Sequence, residues 1–119
     1  MTNLNIWEEV SRKVKQVVDE KGMTWLVAAL VEGSLGYYTP AVAKVMVETL
    51  LKGKPYCSER TALFGDPLYE VEHAVEWFEY IEKTRPDKAQ RIIEFVKEME
   101  KRDDIDQLTM GLMYPSMLL

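Results

Sequence analysis

"WLVAALVEGSLGYYTPAVAKVMVETLLKG", residues 25–53, decides the fold. Trp25 to Val31 is apolar without interruption. On a helix wheel it is apolar on every side, and a helix of that kind lies in the middle of something. The run is far too short for a bilayer, which needs about 20 such residues. Gly33 and Gly36 interrupt it, and Thr39-Pro40 restarts it as an N-cap and first helical residue. From Ala41 to Leu51 only one polar row remains, Lys44, Glu48 and Lys52, each four apart; apart from Thr49 the rest is Ala, Val, Met or Leu. Gly53 and Pro55 stop this second helix.

Amphipathic helices flank this apolar pair. Upstream, Ile6, Val10, Val14 and Val17 make one stripe of a helix over about Ile6–Lys21, with Trp7 and Val18 beside it. Asn5 can cap that helix and Gly22 can end it. Downstream, Asp66-Pro67 repeats the cap-plus-proline device and opens a helix to about Lys83. "TRPDK" separates it from a helix over Asp87 to about Arg102, whose expected buried face is Ile92, Ile93, Phe95, Val96 and Met99. The connection after Lys52 has room for one helical turn after Ser58, and Asp103 or Asp104 can cap a last short helix. Alternating runs and hairpin dipeptides are missing. The expected fold is all-α: a compact bundle of five main helices plus one or two short ones, with antiparallel neighbours. It forms a single domain over 1–119, with 111–119 an apolar C-terminal tail that packs on the core or on a partner chain.

Composition narrows the function classes. The hydrophobic share of 47% and charged share of 29% are those of a globular chain. A net charge of −5 argues against a surface built mainly for nucleic acid or anionic lipid. Cys57 is the sole cysteine, so there is no disulfide framework. The N-terminus lacks the charged-then-apolar pattern of a signal peptide, and the expected compartment is the cytoplasm. No Gly-rich phosphate loop or nucleophile motif is present, so an enzyme is not the expected reading.

Residues 69–80, "YEVEHAVEWFEY", hold the only histidine. Glu70-x-x-His73 resembles half of the di-iron or di-manganese site of four-helix carboxylate proteins, where such a motif from each of two helices joins a Glu from each of two others. The resemblance covers this one motif. It implies iron, manganese or zinc as alternatives to no cofactor, with Glu32 or Glu48 as extra ligands and a second chain completing the site. The structural alternative places Glu70 in the first turn of its helix, where a carboxylate suits the macrodipole, and packs His73 between Tyr69 and Trp77.

Helix, glycine-bearing turn and Thr-Pro-capped helix also outline a helix-turn-helix, which makes a small transcription regulator a further alternative. A recognition helix must offer polar side chains to base edges, however, and here the first turn is Ala41, Val42 and Ala43. Nucleic acid is therefore not an expected partner.

The strongest signal is an excess of apolar face. Two helices are nearly all apolar, and the 67–83 helix carries a second, aromatic stripe of Tyr69, His73, Trp77 and Tyr80. Tyr37, Tyr38, Met113, Tyr114 and Leu118 add more outside the main helices. Chains that expose large apolar patches usually cover them with a partner, and a second copy by a two-fold is the simplest one. Tyr37, Tyr38, Tyr69, Trp77, Met113, Tyr114 and Leu118 are the expected interface. The expected function is a non-enzymatic, self-associating interaction module: an adaptor, accessory or regulatory subunit working as a homodimer or higher homo-oligomer, or with another protein, away from membranes.

Overall fold

Each helix of the computed structural model begins or ends where local chemistry directs it. The structure describes residues 2–101, with side chains described from Ile6 onward. Six helices follow in chain order: α1 (Thr2–Lys21), α2 (Met23–Gly33), α3 (Pro40–Leu51), α4 (Glu59–Phe64), α5 (Pro67–Thr84) and α6 (Pro86–Glu100). There is no strand among the described residues. The chain is an all-α compact bundle.

Three of the caps act through side chains. Thr39 accepts from the Val42 N–H, Asp66 from the Leu68 N–H, and Ser58 from the Thr61 N–H. Each satisfies a donor that a helix start leaves without a partner. Proline stands at the first position of α3, α5 and α6, where its missing N–H is no loss. A single residue, Gly22, divides α1 from α2. Its φ of 101° is open to glycine and strained for any side chain.

The apolar helix α2 lies in the middle, packed against α1, α3, α5 and α6. Its residues Trp25 through Leu30 are all buried. Val10, Val14 and Val17 of α1, Val42, Ala43, Met46, Val47 and Leu50 of α3, and Val71, Phe78 and Ile81 of α5 close around it. Burial of one such Leu, Val or Phe side chain stabilises by about 1.5–3 kcal/mol. Trp25 meets Phe78 edge to face at 5.1 Å, and its indole N–H donates to Glu82 at 2.8 Å. The α2–α5 contact is close because Gly33 has no side chain: a Cβ there would meet Ala74 Cα and Cβ at 3.3 Å. Gly33→Leu is therefore expected to force the helices apart and destabilise the fold by about 2–3 kcal/mol, measurable by urea unfolding.

The helical turn expected after Ser58 is present as the short helix α4, closed by Gly65 in the left-handed conformation. One sequence expectation changes. The inner face of α6 is narrower than its apolar residues suggested. Ala89 and Val96 are buried, Ile92, Ile93 and Met99 are half-buried, and Phe95 is 51% exposed. Phe95 falls on the flank of the stripe that Ala89 and Val96 turn inward. Finally, the expected helix after Asp103 and the apolar tail at 111–119 lie outside the described residues. Among the described residues, no helix is long and apolar enough to cross a membrane.

Candidate functional site

Glu70 is 2% exposed, although glutamate is rarely buried without a partner. Two segments bring hydroxyl groups to it. Tyr38, in the α2–α3 connection, donates its phenol hydrogen to Glu70 Oε2 at 2.5 Å. Thr61, on α4, donates to Oε1 at 2.8 Å. Ser58, the α4 cap, closes the ring with its Oγ 2.8 Å from Tyr38 Oη and 3.1 Å from Thr61 Oγ1. Tyr38 and Thr61 have already given their hydrogens to Glu70, so the one hydroxyl hydrogen of Ser58 serves a single contact; given to Tyr38, the shorter, it leaves Ser58 Oγ and Thr61 Oγ1 in contact with no hydrogen between them. The Glu70 carboxylate makes no ion pair among the described residues; its partners among them are hydroxyl donors. Such charge-assisted bonds are stronger than neutral ones, and a buried network of this type is stabilising only when every member is satisfied. Among the described residues no buried side-chain polar atom lacks a partner.

The ring fastens α4 to the bundle, and other contacts help. Arg60 donates to the Gly33 carbonyl at 2.6 Å and lays its guanidinium over Phe64 at 5.2 Å. Tyr38 is itself held, its backbone N–H donating to Ser34 Oγ at 2.9 Å. A cavity of about 10 Å³ remains between Arg60, Phe64, Glu70 and His73, large enough for about one water molecule.

Burial, reinforced by the hydrogen bond to Glu70, pushes the Tyr38 phenol well above its usual value of 10.0. A raised value means that the folded state keeps a proton which the unfolded chain gives up. The stability this confers is complete below about pH 10 and is lost as pH rises from there through the folded-state value. Above pH 10 unfolding is thus expected to become easier by up to about 1.4 kcal/mol per pH unit from this group alone. Tyr38→Phe, unfolded by urea across pH 9–11, is expected to lack that component of the slope.

The residues singled out from the sequence are dispersed. Glu70 is in the hydroxyl ring. His73, half-buried, packs on Phe64 at 5.3 Å and Tyr69 at 6.2 Å between ring centroids. Trp77 stacks on Tyr80 at 5.7 Å, and Phe64 from α4 adds an aromatic neighbour to the imidazole. Glu32 pairs with Lys88 of α6 at 3.7 Å, and Glu48 lies exposed on α3. Among the described residues no three His, Cys, Asp or Glu side chains come together to hold a metal ion. The first turn of α3 is buried at Ala41, Val42 and Ala43, which leaves no side chain there for a base edge.

Of the expected interface residues, Tyr38 is 2% exposed and occupied inside its own chain, because Glu70 needs its hydroxyl. Tyr37, Tyr69 and Trp77 are exposed. Met113, Tyr114 and Leu118 lie outside the described residues. Tyr80, Leu35 and Leu63 extend the exposed apolar surface. Ser58 and Thr61 were missed as ring members; hydroxyl residues in a connecting segment give no sequence sign of burial. No protein-family model, curated protein or solved structure matches the chain.

Proposed function

We propose that the chain is a non-enzymatic, self-associating helical interaction module, an adaptor, accessory or regulatory subunit of the cytoplasm, whose contact surface is the aromatic stripe of α5. One observation carries this reading. Tyr69, Trp77 and Tyr80 stay exposed along one side of an 18-residue helix whose opposite side, through Val71, Ala74, Val75, Phe78 and Ile81, is buried. Trp and Tyr are the side chains enriched at the centre of protein interfaces.

A second copy suits this stripe. It follows a helix about 27 Å long, with Trp77 near the middle. Two such helices crossing antiparallel at Trp77 bury each other's aromatic residues by a self-complementary two-fold contact. The buried ring serves this role by fixing α4, whose Phe64 backs Tyr69 at 5.5 Å.

Sedimentation at micromolar concentration tests the proposal. The expected mass is twice the 13.8 kDa of one chain. A single-chain mass throughout that range would overturn it.

A further inference from the structure

The ring around Glu70 is one hydrogen short. Its oxygens meet at four places: Glu70 Oε2 to Tyr38 at 2.5 Å, Tyr38 to Ser58 at 2.8 Å, Ser58 to Thr61 at 3.1 Å, and Thr61 to Glu70 Oε1 at 2.8 Å. An ionised glutamate only accepts, so the hydrogens come from the three hydroxyls alone. One contact of the four is left with lone pairs on both sides. A proton on Glu70 Oε2 completes the count. Glu70 then donates to Tyr38, Tyr38 to Ser58, Ser58 to Thr61, and Thr61 back to Glu70 Oε1. Ser58 Oγ takes the Tyr38 hydrogen and the Thr61 backbone N–H on its two lone pairs and gives its own hydrogen onward, which is the full capacity of a hydroxyl. Every contact now holds one hydrogen, all running the same way round, and hydrogen bonds so aligned strengthen one another. We propose that the ring is a proton-binding site: the folded chain takes up a proton on Glu70 at a pH where exposed glutamates stay ionised, and the completed cycle then holds α4.

The surroundings favour the neutral acid. Glu70 is buried and has no ion pair among the described residues, so its charge has lost water without gaining a cation in return. Few titratable or charged groups face it. Tyr38, from the α2–α3 connection, keeps its own proton because burial pushes the phenol up. Arg60 of α4 and His73 of α5 share the small cavity beside Glu70, to which α2 contributes the uncharged Leu30, Gly33 and Ser34. The Arg60 charge opposes proton uptake, but its guanidinium is turned to the Gly33 carbonyl and to the face of Phe64. His73 packs on Phe64 and Tyr69 rather than on the ring oxygens. Removal of a buried charge and the gain of a fourth hydrogen bond act together against Arg60. A proton held more tightly by the folded chain than by the unfolded one contributes stability that is complete below about pH 4, where a free glutamate protonates, and is lost as pH rises. The inference does not depend on the α5 interface.

Urea unfolding of the full native chain and of Glu70→Gln, at about pH 5 and about pH 7, tests the proposal. The glutamine amide offers a hydrogen toward Tyr38 at both pH values, and every other titrating group is common to the two proteins. The folding equilibrium constant of the native chain, divided by that of the variant, is expected to rise severalfold at the lower pH; one proton allows at most about tenfold per pH unit. A ratio that stays level or falls on acidification would overturn the proposal. A second measurement needs no variant. Infrared spectra of the native chain are expected to keep a carboxylic-acid carbonyl band at about pH 6, where exposed carboxyl groups have ionised. Absence of that band would overturn the proposal as well, and so would a band that survives in Glu70→Gln, since it would belong to another carboxyl.

Discussion

Glu70→Ala is expected to lower the free energy of unfolding by about 3 kcal/mol, more than any other exchange at the site. Three effects add. The Tyr38 and Thr61 hydroxyls lose their common acceptor in a buried setting. Each buried polar group left without a partner costs about 1–3 kcal/mol. The truncation also opens a hole under α4. Glu70→Gln should cost less, about 1–2 kcal/mol. It fills the same volume and keeps one acceptor oxygen, but its amide donor faces a hydroxyl that must turn to accept. For a chain of this size 3 kcal/mol corresponds to a Tm lower by roughly 10 °C. Urea unfolding of the three proteins checks the order. An alanine variant as stable as the parent would show that the ring contributes nothing net.

The second large effect is on association. Trp77→Glu should weaken the proposed dimer at least about 100-fold in Kd, the consequence of removing a central aromatic anchor. The fold should survive. The Trp77 indole is 39% exposed, and its aromatic partner is its surface neighbour Tyr80. Helical circular dichroism should therefore match the parent while the sedimenting mass falls to that of one chain. A variant that stays dimeric would move the interface away from α5.

Both effects concern α5, and the sequence disclosed its two halves unequally. The helix itself was plain from Asp66-Pro67 and from the spacing of Val71, Ala74, Val75, Phe78 and Ile81, because caps and apolar periodicity are local signals. The same holds for α2 and α3, whose boundaries follow from Gly22, Gly33, Thr39-Pro40 and Gly53. Glu70 falls between the core stripe and the aromatic stripe of the helix wheel, and it is buried. One hint was available: Glu70, Ala74 and Ile81 fall on one line of the wheel, so the residue points partly inward. The rest of the signal was long-range. Its donors come from 32 and 9 residues away, and Tyr, Ser and Thr in connecting segments are ordinarily hydrated. Six-residue α4 was too short to show periodicity, which also hid the Phe64 that meets His73. Phe95 shows the opposite failure. An apolar residue near a buried stripe can still face outward when the helix turns only a narrow edge to the core.

The most direct test of the α5 interface uses a one-to-one mixture of isotopically labelled and unlabelled chains. Isotope-filtered NMR then detects only contacts between different copies. A two-fold crossing at Trp77 predicts indole signals between Trp77 and its symmetry mate, and contacts from Tyr80 of one copy to His73 of the other. Contacts between copies confined to other faces, or none at micromolar concentration, would contradict it.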